Sequence, residues 1–173
     1  MKLSHNFADF TLKWNTDEKR SRESLVTQYA VSINFISIAM LTVLAGLITG
    51  KLAETLIAGQ AFMALRMVSG GFHLKSLDLC AVITATIYAI IPFISISPVA
   101  ISWINAAALV IVILLAPTNL RNTFWTSSKR AKAVFKTVAI VITASGFVFD
   151  SGIVTLGFAT QALLLIPRRE VDN

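Results

Sequence analysis

Residues 29–49 read YAVSINFISIAMLTVLAGLIT, a run with no charged side chain. As a helix rising 1.5 Å per residue this stretch is about 31 Å long, which matches the ~30 Å hydrocarbon core of a bilayer. Working outward, further apolar segments follow at about 52–68, 79–96, 99–116, 134–149 and 151–166. The chain has 173 residues and is 55% hydrophobic and 14% charged, whereas about 25% charge is usual for a soluble domain. The fold class is therefore an all-α integral membrane protein with about six transmembrane helices.

The segments differ in quality. Those at 29–49, 79–96 and 99–116 reach span length readily, the usual lower limit being about 17 residues. The last two are short and read as a tight helical hairpin turning at Asp150, Ser151 and Gly152, or as two spans in a locally thinned bilayer. The segment at 52–68 carries Glu54, Gln60 and Arg66, so hydropathy alone scores it poorly and a polar cavity is a natural place for it. No Pro/Gly/Ser-rich linker or long polar block divides the chain, so residues 1–173 are expected to form one membrane-embedded domain. In it, 1–24 is an N-terminal region and 29–166 the helix bundle.

Basic residues test the number of crossings. With six, 14 of the 15 Lys and Arg residues fall on one side, in groups at 2–22, 66–75, 121–136 and 168–169, and only Lys51 falls on the other. The positive-inside rule then places both termini and the 66–80 stretch at the cytoplasmic face of a cell membrane. A four-span arrangement with a re-entrant second segment spoils that partition. The net charge of +6 is thus a topology signal; a continuous basic stripe for nucleic acid is not present. Because residues 1–24 are polar and of mixed charge, a cleaved secretory signal is not expected. Residues 117–133, with Pro117, Trp125 and Ser127–Ser128 before Lys129, read as a loop leading into a capped helix.

Leu3, Phe7, Phe10 and Trp14 recur at helical spacing, with Lys2, Asn6, Asp9 and Lys13 elsewhere. This predicts an amphipathic N-terminal helix in the headgroup region, against the plainer alternative of a terminal helix packed on the rest of the protein. Thr16, followed by Asp17 and Glu18, reads as the next helix start.

Chemistry concentrates in Arg66 to Cys80, RMVSGGFHLKSLDLC, which holds the only cysteine and one of two histidines. A lone cysteine makes no intramolecular disulfide, so it is either packing or a nucleophile. Thiols are activated by a histidine, a helix N-terminus or a cation. Here Cys80 starts an apolar segment, His73 is a candidate general base, and Arg66 and Lys75 add positive charge, while Asp78 works in the opposite direction. Seven residues of straight helix separate two Cα atoms by about 10.5 Å, so joint action by His73 and Cys80 requires the chain to fold back between them. Gly70–Gly71 supplies a turn, and its amides are candidates for an oxyanion hole. Asp78, Asn34, Gln28 and Gln60 are candidates to orient the imidazole. A metal site would need Asp78 or Glu54 beside His73 and Cys80, and no ligand-like spacing supports it. No cofactor is expected. His5 has no catalytic surroundings, and most single cysteines at membrane-helix ends are inert.

The pattern R-x-x-x-G-G-x-H-x-x-x-x-x-x-C, formed by Arg66, Gly70, Gly71, His73 and Cys80, resembles the signature of the accessory gene regulator B family of bacterial membrane cysteine endopeptidases. The Gln28–Tyr29 start of the first span, the Ala116–Pro117 loop and the TQALLLIP ending at Thr160 to Pro167 are also similar, so the likeness covers the chain from about residue 20 onward. Phe72-His73-Leu74 departs from the family's frequent aromatic-His-Ala. The resemblance implies Cys80 as nucleophile and His73 as base, with Arg66, Gly70 and Gly71 as motif positions of unassigned role. It also implies a short quorum-sensing peptide precursor as substrate, with an amphipathic leader and an acidic tail, whose product is a thiolactone or lactone ring. Two copies of the chain acting as a homodimer are compatible with this reading. The rival expectation is a small transporter or pore subunit in which Glu54, Arg66 and His73 line a polar pathway.

Overall fold

The computed structural model describes residues 4–7, 9–10, 22–71, 76–118 and 129–166. Thr16, Trp125 and the Ser127–Ser128 pair, with their capping expectations, lie outside them, as do Leu3 and Trp14. Six helices follow the apolar segments: α1 (Arg22–Thr49), α2 (Leu52–Ser69), α3 (Leu77–Ile90), α4 (Pro98–Leu115), α5 (Lys129–Ala144) and α6 (Gly152–Leu163). Among the described residues there is no strand, only an isolated parallel bridge between Gly70 and Thr118.

Local chemistry sets the boundaries. Ser76 caps α3 by accepting from the Leu79 amide at 3.3 Å, and Ser97 caps α4 by accepting from Ala100 at 3.3 Å, with Pro98 in the first turn where its missing donor costs nothing. Asp150 in the left-handed region, φ 44°, makes the turn expected between the last two segments. Two length expectations are corrected. The third segment passes from α3 into a 3₁₀ turn, Ile91–Phe93, at Pro92, so its apolar helical stretch Asp78–Phe93 is shorter than a full span. The fifth is longer than expected, because α5 starts at Lys129 and continues past Ser145 into a helical turn, Gly146–Phe149; with α1 and α4 it is long and apolar enough to cross a bilayer.

Successive helices run in opposite directions. At one end Lys51 Nζ donates to Pro92 O at 2.8 Å and lies 4.3 Å from the centre of the Phe93 ring, and Gly152 packs by Ile96. At the opposite end Ser69–Gly71 meets Thr118, Gln161 and Leu164. The hairpins thus gather as six crossings require, and Lys51 sits at the end opposite the Arg66-to-Cys80 stretch.

The helix that carries Glu54, Gln60 and Arg66, α2, packs against α1, α3, α5 and α6. Its buried face is Thr55, Ala58, Gly59, Ala61, Phe62, Leu65 and Ser69. Small residues allow the close approach: a Cβ on Gly157 of α6 would stand 3.0 Å from both Ala58 O and the Ala61 methyl. Large apolar side chains such as Met40, Ile48, Trp103 and Leu114 point outward, while Asn105, Thr143, Thr155 and Gln161 are buried. This reversal of the soluble pattern is what a hydrocarbon solvent allows, since lipid rewards apolar exteriors. Inside, Asn105 donates to Thr143 O and Gln161 to Ser69 and Gly70, while the Thr155 hydroxyl has no hydrogen-bond partner among the described residues.

The N-terminal helical residues fold against the start of α1. Phe7 stacks on Tyr29 with centroids 5.8 Å apart, and Asp9 accepts two hydrogen bonds from Arg22, at 2.7 and 2.9 Å. Phe7 and Phe10 remain exposed.

Candidate active site

Cys80 is in the first turn of α3, as its position at the start of an apolar run predicts. Its amide donates to the carbonyl of the capping residue Ser76 at 3.0 Å, and its side chain is buried. The sulfur lies 4.0 Å from Thr84 Oγ1, one helical turn on. From α2, the Arg66 guanidinium comes close enough to interact electrostatically with Cys80 and with the Tyr88 hydroxyl. Arg66 also lies 5.7 Å from the centre of the Phe62 ring. His73 and Lys75 lie outside the described residues.

The structure separates the other candidates. Asp78 precedes Cys80 by two residues, about 200° around the helix, and is exposed. Glu54 and Gln60 do not join the site: Glu54 lies about 18 Å down the axis of α2 from Arg66, and Gln60 faces outward. Between Glu54 and Arg66 the inward face of α2 is filled by Ala58, Ala61, Phe62 and Leu65, so the polar line required by the transporter reading is not built there.

Gly70 and Gly71 form a turn with positive φ at both residues, 73° and 124°. Their amides are engaged. Gly70 N donates to Arg66 O at 3.0 Å, and Gly71 N donates to Thr118 O at 3.1 Å, while Thr118 N donates to Ser69 O at 3.0 Å. The oxyanion-hole expectation for this pair is therefore corrected: the amides close the end of α2 and bind it to the loop after α4.

One residue the sequence reading missed is central. Gln161 is fully buried, donating through Nε2 to Gly70 O at 2.6 Å and Ser69 Oγ at 3.0 Å, and accepting from Arg66 at 3.2 Å. The available signal was an amide inside an apolar helix, which needs internal partners.

A family model described as Accessory gene regulator B matches residues 4–165. Comparison with curated proteins and with solved structures gives no match.

Proposed function

The chain belongs to the accessory gene regulator B family, which processes autoinducing peptide precursors at the membrane, and from that premise we propose that it is a cysteine endopeptidase acting through Cys80 and His73. The observation that carries the reading is the setting of Cys80: a buried thiol in the first turn of a capped helix, against which the helix carrying Arg66 packs. In sequence, His73 falls between Gly71, whose amide donates to Thr118 O, and Ser76, the cap of α3.

In the reaction, His73 takes the thiol proton as the sulfur adds to a peptide carbonyl. The C–N bond then breaks, the proton passes to the leaving amine, and an acyl-enzyme thioester remains. An internal cysteine or serine of the precursor attacks the thioester, closing a thiolactone or lactone ring and returning the thiol. Apolar helices around the sulfur favour ring closure over hydrolysis by limiting water. Positive charge at Arg66, Lys75 and the 121–136 region suits an acidic precursor tail, and the exposed Phe7 and Phe10 suit a lipid surface shared with an amphipathic leader. The charge partition supports a site at the cytoplasmic face, and the family suits a bacterial membrane.

The test is coexpression with a candidate precursor, followed by mass measurement of the products. Cys80→Ala and His73→Ala, inserted normally, should leave the precursor whole; cleavage by the Cys80 variant overturns the reading.

A further inference from the structure

Gln161 joins α6 to the end of α2 through three hydrogen bonds, and the amide has only one orientation that satisfies them. Its NH2 faces two acceptors, Gly70 O and Ser69 Oγ, and its carbonyl faces the Arg66 guanidinium. A flipped amide would set NH2 against the guanidinium and oxygen against the Gly70 carbonyl. The surroundings hold it there: Gln161 is fully buried and Leu164 O lies under Gly71. The far end of the same network is Arg66, whose guanidinium lies 5.7 Å from the centre of the Phe62 ring, itself 5.3 Å from the ring of Tyr88 on α3, where Cys80, Thr84 and Tyr88 follow one another at four-residue spacing along one face.

We propose that Gln161 is a positioning residue that aims the Arg66 guanidinium at the Cys80 sulfur and locks the Gly70 carbonyl that starts the turn towards residues 72–75. The aimed charge faces the place where a carbonyl oxygen becomes negative as the thiol adds, so the substrate class it favours is an acyl group or an anionic peptide end. The catalytic consequence rests on the cysteine-peptidase reading; the geometric claim does not. Arg66 and Tyr88 are the described titratable groups facing the sulfur, since Asp78 is exposed and α6 carries no charged side chain.

Because Cys80 is the only cysteine, its alkylation can be read on the full chain in detergent without any precursor. The probes are iodoacetate, an anion, and iodoacetamide, its neutral analogue. A guanidinium held at the sulfur favours the anion, and its displacement should lower the iodoacetate-to-iodoacetamide rate ratio by roughly tenfold, as a nearby unit charge implies. Gln161→Met and Arg66→Gln are each expected to lower the ratio, and the double variant should fall no further than Arg66→Gln alone. A role in packing alone would change both rates together and leave the ratio intact, which would overturn the proposal. So would an added loss in the Arg66→Gln background, or an unchanged ratio in Arg66→Gln itself. If Gln161→Met does not fold, Gln161→Asn, one methylene too short to keep all three bonds, carries the same expectation. A chain that shows this cycle but leaves precursor uncut keeps the Gln161 assignment and loses the peptidase reading; the converse result separates them the other way.

Discussion

Replacing Gly71 by alanine should damage this protein far more than the same change at Gly50, although both glycines have positive φ. At Gly50, φ is 67° and a new Cβ meets nothing within 4 Å. The backbone cost there is about 1–2 kcal/mol, offset by about 0.4–1 kcal/mol from the stiffer unfolded chain. At Gly71, φ is 124°, outside the left-handed basin, and the Cβ would stand 3.2 Å from Leu164 O and 3.3 Å from Gln161 Nε2. Strain of about 1–3 kcal/mol then adds to about 1 kcal/mol for a disturbed hydrogen bond from Gln161 to Gly70. The total is near 3 kcal/mol for Gly71→Ala and below about 1.5 kcal/mol for Gly50→Ala. At roughly 2–4 °C per kcal/mol, the first variant should melt about 6–12 °C below the parent and the second within about 5 °C. Loss of helical circular dichroism on heating in detergent reads the melt. Equal melting temperatures for the two variants would refute the reasoning, since they would show that Gly71 is not held against Leu164 and Gln161.

The hydroxyl of Tyr88 is buried with no hydrogen-bond partner among the described residues, so Tyr88→Phe should be neutral or stabilising by about 1 kcal/mol in the same melt; a lower melting temperature would show an unrecognised partner. Hydrogen bonding to Arg22 holds the Asp9 carboxyl below the usual carboxylate range. The contact therefore contributes above the ordinary Asp range and is lost as pH falls through the lowered folded value. Hydrogen exchange of amides 4–10, corrected for intrinsic rate, should show protection at pH 6 that fades in strong acid, and Asp9→Asn should lack the pH-dependent part. Because both side chains are about half exposed, the protection should also weaken with salt.

Much of the fold was readable from local pattern. Apolar runs gave six helices nearly where they stand, and Asp150–Gly152 announced the last hairpin. The position of Cys80 at the head of an apolar run placed it in a first helical turn, because capping by Ser76 is a matter of neighbours. Pro92 was visible in the sequence, but its effect was underestimated; it ends α3 before span length is reached. The outward direction of Asp78 follows from helix rotation once the start at Leu77 is known.

The sequence by itself determined that this is a six-helix membrane protein whose basic residues gather in clusters between the apolar runs. Periodicity, hydropathy and charge are local properties matched to a layered solvent, so they survive without coordinates. Only the tertiary structure decided that the Gly70–Gly71 amides are spent on the end of α2 and on Thr118, and that Gln161 accepts from Arg66 while donating to Ser69 and Gly70. Apart from the Gly70 amide's local bond back to Arg66, those bonds join residues 47 to 95 positions apart, and an amide in an apolar helix declares that it needs partners without naming them. The partners are chosen by how α2 and α6 pack, through contacts as close as Gly157 against Ala58.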